Sequence, residues 1–212
     1  MKTVLCFGDS LTFGHDPAGN GRHAHGDRWP MALQKALGPD VHVVAEGLSG
    51  RTTAYDDHTS VSDRNGVRIL PTLLDSHTPV DLLIVMLGTN DLKPWTGGDA
   101  FAASRGLKRL VEIVKHHPWP FDHEAPEILV VSPPHIVETA DDSSMAFMPG
   151  VVEQSRMLSV FYSELADQSG CGFFDAASVS HASPVDGVHL DAEQTRALGR
   201  GMEPVARMML GL

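Results

Sequence analysis

The sequence predicts an α/β fold, a five-stranded parallel sheet with helices against both of its faces. Three observations carry that expectation. Five short apolar runs read as strands, amphipathic stretches of helical spacing alternate with them, and the runs are apolar almost throughout. A strand covered on one face alternates in polarity, whereas one covered on both reads as a continuous apolar run. Strands that alternate with helices pair in parallel through crossover connections.

The first run, Thr3–Phe7, stops at Gly8 and meets Asp9 and Ser10 at once. Residues Trp29–Leu37 follow as a helix with Trp29, Leu33, Ala36 and Leu37 at helical spacing, and Val41–Ala45 is the second strand. The third strand is Leu82–Leu87. After it, residues 101–115 carry Phe101, Leu107, Leu110, Val111 and Val114 on one helical stripe. Ile128–Val131 is the fourth strand, Val151–Ala166 a further helix, and the weak run Gly172–Phe174 the fifth strand. Ala192–Leu210 closes the chain as a helix, with Asp191 as its N-cap.

Three stretches fall outside this alternation. His15–Asp27 is rich in glycine and histidine, and residues 117–126 hold three prolines. Residues 132–150 form a long connection whose second half, M-A-F-M-P-G, is too apolar to be left in water without a partner. It is expected to cap a pocket or to bury against another subunit.

The totals narrow the class. A chain of 212 residues is expected to fold as a single domain, 1–212, with a core that needs no staples. Its 42% hydrophobic and 20% charged residues suit an ordinary soluble protein. The net charge of -11 argues against nucleic acid as partner, because binding to a phosphate backbone rests on clustered Lys and Arg. Two cysteines, Cys6 and Cys171, make no disulfide framework and read as small buried hydrophobes. The apolar residues 3–7 are too few for a signal peptide or a membrane span, so no membrane partner and a cytoplasmic location are expected.

In a parallel sheet, ligands bind beyond the carboxyl ends of the strands. Ser10 follows the first strand, Ser49-Gly50 the second and Gly88-Thr89-Asn90-Asp91 the third, so three polar turns converge on one edge. Acyl transfer needs a nucleophile, a base, a group that orients the base, and donors aimed at the oxyanion. Ser10 offers the nucleophile. Asp186 and His189 stand three residues apart just before the last helix, with Gly187 easing the turn between them. The backbone N–H groups of Ser10 and Gly50 and the side-chain amide of Asn90 offer the oxyanion donors.

Each block alone also reads as ordinary turn chemistry, and it is their joint placement that points to a site. The G-x-S-x-G elbow of α/β-hydrolases is absent, since Gly47-Leu48-Ser49-Gly50-Arg51 lacks the second glycine. Around the site, Phe13, Trp95, Val188 and Phe147 are candidate pocket walls, and Lys93 a candidate partner for a polar substrate group. For the aromatics the competing reading is core or subunit contact, and for Lys93 a solvated surface charge.

Twelve histidines invite a metal reading, with His15, His23 and His25 in one loop and His116, His117 and His123 in another. Neither group shows H-E-x-x-H, paired cysteines or a tight carboxylate set, so no metal and no cofactor are expected. Two alternatives to a serine enzyme stand beside it. One is a metal-dependent phosphoesterase built on Asp9 and Asp91, the other a non-catalytic carbohydrate- or partner-binding module.

The blocks Gly8-Asp9-Ser10-Leu11, Gly50 in GLSGRTT, Gly88-Thr89-Asn90-Asp91 and Asp186-Gly187-Val188-His189, in that order, resemble the SGNH (GDSL) hydrolase family. The resemblance implies a flavodoxin-like three-layer α/β/α sandwich and metal-free ester hydrolysis. It assigns Ser10 as nucleophile, His189 as general base and acid, Asp186 as its orienter, and Ser10, Gly50 and Asn90 as oxyanion donors. The stretches GDSLTFG, GLSGRTT and MLGTNDLK look most like the bacterial arylesterase and acyltransferase subgroup. That subgroup includes homo-oligomers, acts on short acyl esters, and in some members passes the acyl group to alcohols or hydrogen peroxide. The resulting expectation is a homo-oligomeric serine esterase for acetyl-type esters of aryl alcohols or sugars, working through an acyl-enzyme on Ser10.

Overall fold

The computed structural model describes residues 1–139 and 148–212; Phe147 lies outside them. Five strands, β1 (Lys2–Gly8), β2 (Val41–Gly47), β3 (Leu82–Met86), β4 (Glu127–Ser132) and β5 (Gly172–Asp175), pair in parallel in the order β2-β1-β3-β4-β5. The order puts β1 between β2 and β3. Gly8 at its end is in register with Gly47 on one side and Met86 on the other. The turns that leave these three strands therefore start side by side.

The continuous apolar runs are explained by two cores. Leu5, Phe7, Leu83, Val85 and Val130 face helices α3 (Gly66–His77), α4 (Ala100–His116) and α5 (Val151–Ser169). Their alternate neighbours Val4, Cys6, Ile84, Met86 and Val131 face α2 (Trp29–Leu37) and α6 (Ala192–Leu210). Successive side chains point to opposite faces of a strand, so a sheet buried on both sides leaves no polar position in between. Burying each such side chain stabilises the fold by about 1.5–3 kcal/mol before chain entropy is counted. This is the three-layer α/β/α arrangement that the sequence predicts, with α1 (Ser10–Phe13) as a single turn at the end of β1.

One helix is unexpected. Helix α3 buries Leu70 and Leu74 one turn apart, and Asn65 caps it by accepting the Val67 N–H at 3.1 Å. Pro71 stands inside it and breaks the pattern by which a helix is recognised. Of the two cysteines, Cys6 is fully buried as expected; Cys171 is only half-buried, and both are free thiols. Among the described residues no helix is long and apolar enough to cross a membrane.

Candidate active site

Strand β1 ends at Gly8, and Asp9 stops it by capping α1, its Oδ1 accepting the Leu11 N–H at 2.9 Å. The cap makes Ser10 the first residue of the helical turn. Across the cleft the stretch before α6 folds back on itself. Ser183 N–H donates to the His189 carbonyl at 2.7 Å, and Val137 N–H donates to the Gly187 carbonyl at 2.9 Å. The Asp186 Oδ1 atom accepts the N–H groups of Val188 at 3.0 Å and His189 at 2.9 Å. Gly187, with φ of 75°, supplies the left-handed residue this turn needs.

That turn aims two side chains. His189 Nδ1 lies 2.6 Å from Asp186 Oδ2, and His189 Nε2 lies 2.9 Å from Ser10 Oγ. Partial burial would raise the Asp186 carboxyl. The His189 ring and the Val188 and His189 N–H groups outweigh it and hold the carboxyl below its ordinary value. An ionised Asp186 accepts a proton-bearing Nδ1, which leaves the Nε2 lone pair for the Ser10 hydroxyl.

Gly50 opens toward the same cleft with φ of 82°. The nearest atom to a Cβ added there is Arg64 Nε at 3.5 Å, so backbone conformation rather than crowding asks for glycine. Asn90 follows β3 in a short 3-10 turn, and its Nδ2 donates to the Arg51 carbonyl at 3.1 Å and to Asp9 Oδ2 at 3.3 Å.

Under this floor lies a polar layer in which Asp9 and Asp91, the carboxylates of the phosphoesterase alternative, are joined by Arg51 and Thr53, which the sequence does not single out. The buried Arg51 donates from Nη1 to the Gly8 carbonyl at 2.8 Å and to the Glu46 carbonyl, tying the ends of β1 and β2 together. Its guanidinium sits 4.3 Å from the centre of the Phe7 ring. Burial lowers it to about 10, and it remains a cation. Asp91 is held by the Thr53 N–H at 3.1 Å and by the Thr53 hydroxyl. Burial pushes Asp91 up to about 7 despite those bonds, with the charge of Asp9 adding to the rise. Asp9 is likewise raised to about 6 by burial, against the Leu11 N–H and the charges of His189, Arg51 and Lys93. With 1% and 0% exposure, Asp9 and Asp91 are structural and do not form the open carboxylate pair of a metal phosphoesterase.

The cavity above has a volume of about 280 Å³ and is lined by Ser10, His15, Ser49, Gly50, Thr89, Asn90, Lys93, Ile136, Met148, Val188 and His189. Two of the expected pocket residues, Lys93 and Val188, are thus in place. Phe13 stands outside the lining, with the Arg22 guanidinium 4.0 Å over its ring. Trp95 also stands outside and is 48% exposed, with Lys93 Nζ 5.9 Å from its ring centre. Ile136 and Met148, which flank the undescribed stretch of the long connection, are in its place. A larger depression of about 510 Å³ lies at the opposite edge of the sheet, between Lys2, Asp81, His123 and Glu127. No nucleophile–base pair among the described residues faces it.

The histidine-rich loop resolves into separate roles. His23 Nε2 bonds the Leu190 carbonyl at 2.9 Å as a buried tie, while the His15 ring packs on His189 with centroids 4.2 Å apart and planes tilted by 44°. In the sequence His15 stands out only as one of a loop cluster; no local pattern couples it to a residue so far along the chain.

Comparison with known proteins was consistent with this geometry. A family model described as the GDSL-like lipase/acylhydrolase family matches residues 6–197. An arylesterase of Vibrio mimicus is 39% identical over 117 residues, 54% of this chain and 49% of that protein, so the match spans about half of that relative's length. The crystal structure of a carbohydrate acetylesterase family member from Sinorhizobium meliloti is 62% identical, covers 100% of both chains and superposes with a TM-score of 0.97. The native aryl esterase of M. smegmatis is 37% identical, with 99% of this chain and 100% of that one covered and a TM-score of 0.93.

Proposed function

The chain belongs to the GDSL-like lipase/acylhydrolase family, a family of carboxylic ester hydrolases, and from that premise we propose a serine esterase for short, acetyl-type esters of aryl alcohols or sugars. The observation that carries the reading is the unbroken hydrogen-bonded chain from Ser10 Oγ through His189 to Asp186 at the floor of a cavity. Ser10 Oγ attacks the ester carbonyl as His189 Nε2 takes its proton, and Asp186 stabilises the imidazolium without itself being protonated. The oxyanion is met by the N–H groups of Ser10 and Gly50 and by the Asn90 amide. The amide's longer bond, 3.3 Å to Asp9, is the one that yields to the oxyanion. His189 returns the proton to the leaving alcohol, and water repeats the sequence on the acyl-enzyme. An alcohol or peroxide that replaces this water would turn hydrolysis into transfer.

The small cavity and the aryl esterase and acetylesterase names of the relatives support short acyl groups. Lys93 and Val188, with Ile136 and Met148, make the substrate contacts. The 212 residues act as one domain, and the protein assembles with copies of itself.

The test is release of p-nitrophenol from acetyl, octanoyl and decanoyl esters by wild type and Ser10→Ala. The rate is expected to fall with chain length. Ser10→Ala should lose several powers of ten in kcat, leaving the residue of catalysis that oxyanion donors and binding supply. A Ser10→Ala protein that keeps most of its rate would overturn the triad, and a rate that rises toward decanoyl would overturn the short-chain preference.

A further inference from the structure

The ring of His15 is not needed for the triad, yet it lies against the triad's base. It makes no hydrogen bond to any described residue; its backbone N–H is tied to the Ser10 carbonyl at 3.0 Å, which holds the residue beside the nucleophile. Four other histidine rings are hydrogen-bonded elsewhere. His23 bonds the Leu190 carbonyl, His77 bonds Glu46, His116 the Glu112 carbonyl and His117 Asp75. Among the described residues, His15, Asp186 and His189 form the one group in which three metal-ligating side chains converge, one ligand atom from each lying within 4.8 Å of the others. Both histidines face the open cavity, so a cation can reach them from solvent.

From this convergence we propose that His15, His189 and Asp186 form a binding site for a zinc-like first-row transition cation, and that its occupancy reversibly shuts off ester hydrolysis. The inhibitory part rests on the triad reading given above. Two imidazoles and a carboxylate are a borderline-soft donor set, suited to Zn²⁺, Cu²⁺ or Ni²⁺ rather than to Mg²⁺ or Ca²⁺. Zinc–nitrogen bonds of about 2.0–2.1 Å bring tetrahedral ligand atoms to about 3.4 Å of each other. Closure asks the hydrogen-bonded His189–Asp186 pair to open from 2.6 Å to that spacing, and the His15 ring, which has no hydrogen bond to a described residue, to turn toward them. The nitrogen of His189 that faces Asp186 is Nδ1, so a cation held by both enters between the ring and the carboxylate. The proton on Nδ1 then moves to Nε2, which leaves no lone pair to accept the Ser10 proton, and Asp186 no longer orients the base. The cation here is an inhibitor and takes no part in the hydrolytic step.

Tag-free protein should be titrated with ZnCl₂ by calorimetry, and with CoCl₂ while the visible absorption of bound cobalt is followed. Activity on p-nitrophenyl acetate is read in parallel, each variant against its own metal-free rate. Wild type is expected to bind one cation per chain, to lose activity with the same midpoint, to recover on addition of EDTA, and to ignore MgCl₂. Removing a partner that merely supports a ligand costs about 10–100-fold in affinity, so His15→Phe, which keeps a ring in place, should weaken both midpoints at least about tenfold. No binding by wild type, or equal midpoints in wild type and His15→Phe, would overturn the site. Ser10→Ala separates the two readings. If it keeps the ester rate, the triad fails while the His15-dependent cation binding is still measured. If it is inert and binds zinc as wild type does, both stand.

Discussion

Asp91 never reaches the cavity, yet its ionisation is coupled to the stability of the site. Burial raises its carboxyl from the ordinary 3.8 to about 7, and Asp9 beside it rises to about 6. A carboxyl raised in the folded state binds a proton there that the unfolded chain has already released. Its contribution is therefore fully present below about pH 4, is lost as pH rises through the folded value, and reaches its minimum above about pH 7. Urea midpoints should accordingly be higher at pH 5 than at pH 8, and Asp91→Asn, which imitates the protonated form, should flatten part of that slope. A variant that keeps the full wild-type slope would show that Asp91 is ionised throughout. At this scale the sequence is legible where partners are close or sit at strand ends. Ser10, Asn90, Asp186 and His189 follow from such positions. The Thr53–Asp91 pair, 38 residues apart, and the packing of His15 on His189 follow from how loops cross, and no local pattern encodes that.

Among the elements, the end of β2 packs directly against the backbone of α1. A Cβ added at Gly47, the last residue of β2, would lie 2.2 Å from the Phe13 amide nitrogen and 2.6 Å from the Thr12 carbonyl carbon. These are backbone atoms of α1, so the helical turn itself would have to move, and with it Ser10. Gly47→Ala is predicted to destabilise the protein by about 1–3 kcal/mol, the usual range for overpacking. It should also lower kcat at temperatures where the protein is still folded, because a small displacement of Oγ spoils its line to His189. Thermal melts with kcat measured well below the transition check both, and full kcat in a folded Gly47→Ala protein would show that the turn is free to adjust. Strand and helix elements are mostly legible here because both cores impose strong patterns. Helix α3 is the exception, and Pro71 is the reason. Its burial of Leu70 and Leu74 is real, but a proline in the second turn conceals the run that contains them.

For the molecule as a whole, what is left uncovered carries the remaining information. Phe101 on α4 is 59% exposed and meets Phe161 of α5 edge-on, with centroids 5.9 Å apart. Met157 and Val160, at 42% and 65% exposure, continue that strip along α5 at helical spacing. Single exposed apolar residues are ordinary, but a contiguous strip in water points to a covered surface. Self-association of a chain with a net charge of -11 works against its own repulsion. That repulsion is screened over about 10 Å at 0.1 M salt, so added salt should strengthen assembly rather than weaken it. Sedimentation equilibrium should give a mass that is a multiple of 22.8 kDa, and one that rises or holds as NaCl is raised. A charge placed in the strip, Val160→Asp or Phe101→Asp, should move the mass toward that of one chain. A wild type that sediments as a single chain at every salt concentration would end the homo-oligomer reading. An assembly that survives both substitutions would move the contact to another face of the molecule.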